Sequence, residues 1–263
     1  MPPPAYARPK TPPPEGWAEA WQHTWDELED TLVGDRALRI AALLDAVEAV
    51  VAPGSAPTVL DLGCGTGTVT RRLLSRLPAA RVVALDVDPV LLTIAAATFA
   101  GDERVRLARA DLRDPAWIAA VPDAPVDAVV TATALHWLPE ATVARLYRDL
   151  APMVRPGGVF AHAEQMPLDA PRLASAFAGL DGRRHPATAA RLHAWDAWWA
   201  RAAQDPLLAA AGDERRAIFP TSYPTEEFSP PAAWHLASLT AAGFAEASVT
   251  WRSGHAAVVT ALR

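Results

Sequence analysis

The segment from residue 58 to residue 67, Thr-Val-Leu-Asp-Leu-Gly-Cys-Gly-Thr-Gly, constrains the fold of this chain more than any other. Its first half is an apolar run with β-branched residues, which predicts a short buried strand. Gly63, Gly65 and Gly67 end that strand, and residues 69–77 fit a helix. This order places bare backbone at the edge of an open α/β sheet, where a Cβ would block the approach of a ligand.

The spacing of the glycines narrows the choice of ligand. The dinucleotide pattern needs a glycine at position 68, which is Thr68 here, and no Lys follows as a phosphate-binding loop requires. Asp61, at the end of the strand, repels a pyrophosphate but suits a ligand with an ammonium group. An NAD-dependent oxidoreductase is therefore the disfavoured alternative.

Residues 59–67 resemble motif I of the class I methyltransferases that use S-adenosylmethionine (SAM), a cofactor with an amino group and a sulfonium but no phosphate. The later stretches DAVVTATALHWLPE and LAPMVRPGGVF resemble further motifs of that family. The nearest likeness is the branch that acts on small carboxylic acids and natural products, such as the trans-aconitate methyltransferases. The resemblance covers residues 17–165 well, the last twenty residues reasonably, and residues 166–240 weakly.

The resemblance implies cofactor contacts at successive strand ends. Asp86 stands about twenty positions beyond the glycine turn, where a ribose hydroxyl pair is held. Asp111 would accept from the adenine amino group, and Leu112 would pack on the ring. Cys64 is a small filler of the turn rather than a nucleophile. The residues expected to contact SAM are Asp61, Gly63, Cys64, Gly65, Gly67, Asp86, Val87, Asp111, Leu112 and Thr131.

The remaining pattern predicts an α/β fold with a seven-stranded, mostly parallel, doubly wound sheet. Further strands are expected at 81–87, 105–110, 126–132 and 159–165, with helices at 90–99 and 141–154. Asp88 and Pro89 have the composition of a helix N-cap and first helical position. Arg155–Gly158 has the composition of a tight turn. A closing hairpin is expected at 245–252 and 256–263. The resemblance implies that it supplies strands six and seven, with the seventh inserted antiparallel.

The chain also predicts two regions outside this core. Residues 1–16 hold seven prolines and are expected to be disordered. Trp17, Trp21 and Trp25 recur every four residues, which places them on one face of a helix. That face is either simply buried or forms a lid over the cofactor. A second helix is expected at 37–51, with Leu38, Leu44, Val47 and Val51 on its apolar face.

Residues 166–240, here called the cap, are too long for a bare loop and are predicted to cover the substrate. A helix at 187–204 would present Leu192, Trp195, Trp198 and Trp199 on one face, and a helix at 232–242 would end at Gly243. The domain organisation is then a disordered tail at 1–16, a core at 17–165, the cap at 166–240 and the hairpin at 241–263. The aromatic cap favours a small, partly aromatic or aliphatic acceptor.

The catalytic candidates follow the fourth and fifth strands. His136 comes just after the fourth strand, and His162 and Glu164 share one face of the fifth. His136 and Glu164 are the predicted catalytic residues, and a base is needed only if the acceptor carries a proton of high pKa. The alternative is that each is a satisfied polar residue. Trp25, His162, Trp195 and Trp198 are the predicted substrate contacts. No group of ligands has metal-site spacing, so no metal is expected.

Composition limits the partners. A net charge of −6 argues against nucleic acid as the main substrate, and no apolar run predicts a membrane span. One cysteine and no signal-peptide pattern make a cytoplasmic location the default expectation. The resulting prediction is methyl transfer from SAM to a small molecule. An RNA or protein methyltransferase and a SAM-fold protein without methylating activity remain alternatives, and the sequence leaves the acceptor and the oligomeric state open.

Overall fold

A single β-sheet organises the structure, a computed structural model that describes residues 6, 12–121, 124–184, 188–219 and 227–263. Within these residues the strands are β1 (Thr58–Leu62), β2 (Arg81–Asp86), β3 (Val105–Arg109), β4 (Val126–Ala132), β5 (Val154–Gln165), β6 (Glu246–Ser253) and β7 (Ala256–Leu262). Their order is β3-β2-β1-β4-β5-β7-β6. Strands β1 to β5 are parallel, and β7 is antiparallel to both β5 and β6. The predicted sheet is confirmed.

The helices of the described residues are α1 (Trp17–Leu32), α2 (Arg36–Val50), α3 (Thr68–Arg76), α4 (Pro89–Thr98), α5 (Glu140–Leu150), α6 (Pro171–Arg184), α7 (Thr188–Ala202), α8 (Ala209–Ile218) and α9 (Ala232–Ala242). Side chains of β1 alternate between two cores, since Leu60 and Leu62 pack with α5 and α9 while Val59 packs with α2 and α3. Burial on both faces explains why the parallel strands are almost continuously apolar.

Several predicted helix ends are confirmed by their hydrogen bonds. The Asp88 side chain accepts from the backbone N–H of Val90 at 2.9 Å and of Leu91 at 3.3 Å, so Asp88 is the N-cap of α4. Gly243 has φ +103° and ends α9 in the left-handed conformation. Both signals are local, because they depend only on neighbouring backbone groups.

The predicted turn at Arg155–Gly158 is wrong, because these residues lie inside β5. Val126 pairs with Val154 and Ala128 pairs with Val159, so β5 makes a local excursion between these two pairs. The Gly157 N–H donates to the Arg263 carbonyl at 2.6 Å, and the Arg263 N–H donates to Gly158 at 3.0 Å. Arg263 therefore pairs with backbone groups that the excursion would otherwise leave without hydrogen bonds.

The outer regions differ from the sequence expectation in detail. Helices α6 and α8 were not predicted. The predicted start of α7, Ala187, lies outside the described residues, and the described helix ends at Ala202 instead of Gln204. Leu38 and Leu192, expected on buried faces, are 57% and 41% exposed. Most of the expected disordered tail also lies outside the described residues. Within it, Tyr6 does contact the core, since its N–H donates to Leu107 of β3 at 2.8 Å.

A cluster of tryptophans joins the cap to the core. The predicted aromatic face of α1 is confirmed, with Trp21 and Trp25 buried. They pack with Trp195 and Trp198 of α7 and with apolar residues of α4. Asp205, which follows α7, accepts from the indole N–H groups of Trp17 and Trp21, both at 2.8 Å. The cap is therefore held against α1 by both packing and polar contacts.

Candidate active site

A cavity of about 460 Å³ lies at the carboxyl ends of β1 to β5. The order of the strands reverses between β1 and β4, and open α/β sheets bind ligands at such a switch point. The cavity wall includes Gly63, Cys64 and Gly65 after β1, Asp86 and Val87 at the end of β2, Asp111 and Leu112 after β3, and His136 and Glu164 farther along. Most of the predicted site residues are therefore brought together.

The three glycines of the turn have different roles. All have positive φ, which favours glycine. A Cβ on Gly63 would overlap the Ala134 side chain, and one on Gly67 would overlap the Phe99 ring. A Cβ on Gly65 would meet nothing closer than 3.8 Å, at Trp25 Nε1. Only Gly65 leaves space on its ligand side, whereas the protein's own packing accounts for the other two.

Asp86 joins the glycine turn to the end of β2. Its Oδ2 accepts from the Gly65 N–H at 2.7 Å, and its Oδ1 accepts from the Asp88 N–H at 2.8 Å. Burial raises the pKa of Asp86 to about 6. The carboxylate keeps further lone pairs on the cavity side, so the arrangement suits hydroxyl or ammonium donors and disfavours phosphate.

Three other predicted cofactor residues lie behind the cavity wall rather than on it. Asp61 is 1% exposed and accepts from Thr70 Oγ1 at 2.6 Å. Thr131 Oγ1 donates to the Leu62 carbonyl at 2.9 Å. Gly67 is the N-terminal boundary of α3. The side chains of Asp61 and Thr131 are buried beneath the turn, so they support the cavity wall without lining it.

The loop after β3 forms a separate edge of the cavity. Arg113 pairs with Asp111, with 2.7 Å between Nη2 and Oδ2, and the Arg113 N–H donates to Asp111 Oδ1 at 2.8 Å. Burial alone would raise the pKa of Asp111, but the bonds and charge of Arg113 lower it overall. Arg145 donates to the Leu112 carbonyl at 2.6 Å. The loop is thus rigid around its acidic residue.

His136 and Glu164 form an ion pair on the opposite side of the cavity. His136 Nδ1 lies 2.9 Å from Glu164 Oε2, and Glu164 Oε1 accepts from the Gln165 N–H at 2.9 Å. Burial tends to lower the pKa of His136, but the charge and hydrogen bond of Glu164 raise it overall. Burial would raise the pKa of Glu164, yet His136 holds it well below its ordinary value. The pair is a carboxylate beside a readily protonated imidazole.

Two predicted substrate residues do not line the cavity. His162 is fully buried, with Nε2 3.8 Å from Glu164 Oε2. Trp198 packs edge-on against Trp25, with ring centroids 4.9 Å apart, and its Nε1 donates to Thr24 Oγ1 at 3.2 Å. Trp25 and Trp195 do line it, as do Trp137 and Trp199. The helical spacing of Trp195 and Trp199 was the sequence signal that could have identified Trp199 as a residue of the cavity wall.

Charged residues on the wall were missed at the sequence level. They are Glu29, Arg36, Arg39, Arg113, Arg191, Arg215 and Glu227. Arg36 pairs with Asp26 at 2.9 Å and with Asp30 at 3.0 Å. Arg191 Nε is buried without a hydrogen-bond partner among the residues that the structure describes. No motif distinguishes these residues from the many other charges on the helices.

The described residues contain no group of three or more His, Cys, Asp or Glu side chains placed to hold a metal ion. None of the helices in this part of the chain has the length and apolar character required to cross a membrane.

Sequence comparison places the chain among known enzymes. Residues 59–158 match the family described as methyltransferase domain. A trans-aconitate 2-methyltransferase from Azoarcus sp. (strain BH72) is 39% identical over 144 residues, which cover 55% of this chain and 51% of the relative. One from Methylobacterium nodulans is 35% identical over 198 residues, which cover 72% and 68%. The chain spans about half the length of the first curated relatives that it matches.

Solved structures support the same fold. A DhpI complex described as DhpI-SAM-HEP has a TM-score of 0.55 at 20% identity, with 95% of this chain and 97% of that chain covered. Human N-acetylserotonin methyltransferase in complex with SAM has a TM-score of 0.53 at 17% identity, with 96% and 60% covered. These structures show the fold alone. The sequence relatives show the family: the chain belongs to the class I SAM-dependent methyltransferases, in the group that includes the trans-aconitate 2-methyltransferases.

Proposed function

We propose that this chain binds SAM and transfers its methyl group to a small carboxylic acid. The observation that carries the proposal is that one cavity contains both the glycine turn with Asp86 and the pair of His136 with Glu164. When bound, SAM supplies an electrophilic methyl group on sulfur, which an acceptor atom displaces in line. The protein's main task is then to hold the acceptor in line with the methyl group.

The residues present fit this cofactor. The open space at Gly65 admits a ligand against backbone, and the Asp86 carboxylate would accept from ribose hydroxyls. Leu112 and Asp111 would take the adenine, and Val87 and Trp25 would complete the apolar wall. Position 68 is Thr68 where the dinucleotide pattern needs a glycine, which supports SAM over NAD.

A carboxylate acceptor is supported by the cations of the wall. Arg36, Arg39 and Arg191 line the cavity together with His136. Glu29 also lines it, but its charge is offset by the nearby Arg36. Relatives in this group are named for trans-aconitate, which is a tricarboxylate. An anionic acceptor would accept a charged hydrogen bond from Arg191, whose Nε has no partner among the described residues, whereas a neutral aromatic acceptor would not use that charge.

The state of His136 determines its role. Because Glu164 raises the pKa of His136, the ring is cationic over a wider pH range than a free histidine. A cationic imidazole donates hydrogen bonds and cannot accept a proton. A carboxylate acceptor needs no base, since it is already ionised at neutral pH. We therefore assign His136 the role of a donor that orients the acceptor, with Glu164 holding its ring.

The cap, residues 166–240, is assigned to acceptor selection. Its described residues supply Arg191, Trp195, Trp199 and Arg215 to the wall, whereas the glycine turn and Asp86 belong to the core. The cofactor half of the cavity thus depends on strand ends, and the acceptor half depends on helices packed above them. A cytoplasmic location is part of the same proposal, as expected for an enzyme of small metabolites.

The test is to incubate the protein with SAM and a panel of mono-, di- and tricarboxylates and to measure S-adenosylhomocysteine and methyl esters by mass spectrometry. Arg191→Met should raise the KM for the acceptor about tenfold or more, since a charged hydrogen bond is lost, and leave the Kd for SAM unchanged. Arg172→Met, at an exposed position of α6, is the matched control. Methylation of amines or RNA only would overturn the carboxylate assignment.

A further inference from the structure

A row of buried polar side chains extends from Glu164 away from the cavity. His162 of β5 lies between Glu164 and Tyr147 of α5, with 3.8 Å from its Nε2 to Glu164 Oε2 and 3.2 Å from its Nδ1 to the Tyr147 hydroxyl. That hydroxyl lies 2.7 Å from Nδ1 of His235 on α9. Three elements therefore place three polar side chains in line behind the ion pair of the site.

Their burial makes this arrangement specific. Tyr147 and His162 are fully buried and His235 is 2% exposed, so none of them exchanges its partners for bulk water. Buried polar side chains in a packed core cost stability unless their hydrogen bonds are made. An apolar residue would fill each position more favourably, so the row calls for an explanation beyond packing.

The hydroxyl restricts the protonation of both rings. Tyr147 has one proton to donate, so one histidine accepts it at Nδ1 and the other donates from Nδ1. The ionised Glu164 favours a proton on Nε2 of His162, because a lone pair there would be repelled by the carboxylate. His162 then accepts from Tyr147 at Nδ1, and His235 donates to Tyr147 from Nδ1. All donors in the row thus point toward Glu164.

We infer that Tyr147, His162 and His235 are positioning residues, which orient the Glu164 carboxylate, share its charge and thereby control the proton on His136. The inference rests on the proposed function in that His136 is taken to face the acceptor. Burial lowers the pKa of His235 to about 3, which agrees with a neutral ring that holds one tautomer.

The effect on His136 has a defined direction. A donor from His162 disperses the charge of Glu164, and it does so most when His136 is neutral and leaves that charge uncompensated. Loss of this donor therefore favours the protonated form of His136. The other acids that act on His136 are Glu29 of α1 and Glu227 before α9, and both stay unchanged in the variants below.

The experiment is NMR of the ligand-free protein with ¹⁵N-labelled imidazoles, which reports the tautomer and the titration of each ring. In the wild type, His162 should carry its proton on Nε2 and His235 on Nδ1. His162→Leu should raise the titration midpoint of His136 by about half a unit, which is less than the effect of a full hydrogen bond to a charged group, because His162 Nε2 lies 3.8 Å from Glu164 Oε2. His162→Gln, which retains an N–H toward Glu164, should bring the titration midpoint of His136 most of the way back to the wild-type value.

Tyr147→Phe is the second variant, since it keeps the ring that packs against Phe160 and removes only the hydroxyl. Tyr147→Phe should leave His235 as a mixture of tautomers. It should also raise the titration midpoint of His136, but by less than His162→Leu does. The opposite tautomers in the wild type, or equal midpoints in His162→Leu, His162→Gln and the wild type, would overturn the inference. These readings require no methyl acceptor, so they are independent of whether the carboxylate assignment succeeds.

Discussion

Arg215 of α8 donates from Nε to the Asp88 carboxylate at 2.6 Å. The same guanidinium lies 3.5 Å from the centre of the Trp199 ring, a cation–π distance. Asp88 begins α4 and also donates its backbone N–H to Asp86. One arginine therefore connects the cap both to the aromatic wall and to the residue beside the proposed ribose carboxylate.

Replacement of Arg215 should loosen this connection. Arg215→Met leaves the buried Asp88 carboxylate with only its backbone partners, which costs about 1–3 kcal/mol. We expect a lower melting temperature and a release rate for S-adenosylhomocysteine raised about fivefold or more, measured by stopped flow. Arg216→Met on the same helix is the control, since Arg216 is 67% exposed. Equal release rates in the two variants would show that the cap does not retain the ligand.

Asp86 is expected to contribute to cofactor affinity. Asp86→Ala should weaken SAM binding by about 1–3 kcal/mol, or roughly 5- to 150-fold in Kd, because hydrogen bonds to a carboxylate are lost. Titration calorimetry measures this. The variant should also melt earlier, since Asp86 accepts from Gly65 and Asp88. Asp86→Asn, which keeps one acceptor oxygen, separates the two effects, and unchanged affinity in both variants would remove Asp86 from the site.

Asp61 makes stability depend on pH. Burial raises its pKa to about 7, well above that of an unfolded aspartate, so the folded state binds this proton more tightly. Its stabilising contribution is present below the unfolded pKa and is lost as the pH rises through about 7. Asp61→Asn does not titrate. As the pH rises from about 5 to about 8, the free energy of unfolding of Asp61→Asn should increase relative to that of the wild type. A difference between the two free energies that stays constant with pH would contradict this.

His136 should control the pH dependence of turnover. With a carboxylate acceptor, kcat/KM should fall as the pH rises through the raised pKa of His136, because the cationic donor is lost. His136→Gln should lower kcat/KM about 10- to 100-fold and remove this limb of the profile. A profile that instead rises with pH in the wild type would identify His136 as a general base for a protonated acceptor.

The extent of the sequence prediction follows from how local each signal is. Asp88 with Pro89 and the glycine turn specify backbone conformation over a few residues, so α4 and the turn could be placed correctly. Residues at the ends of parallel strands share an edge of the sheet, which is why Asp86 and Asp111 meet at one cavity. Both inferences need only chain order and strand direction.

Other features depend on packing that the chain order does not reveal. Alternation along β5 placed His162 and Glu164 on one face, but it did not show that Tyr147 and His235 would cover His162. Arg191 reaches the cavity only because α7 packs against α1. Helix α8 buries Ala211 alone, so it has little apolar periodicity to recognise.

The tryptophans of the wall give the protein an internal optical reporter. Trp25 of α1, Trp137 after β4, and Trp195 and Trp199 of α7 all border the same cavity. Indole emission responds to the polarity and charge next to the ring, so a ligand that displaces water here changes the intrinsic fluorescence. Occupancy of the site is therefore measurable on the unlabelled chain, for cofactor and acceptor alike.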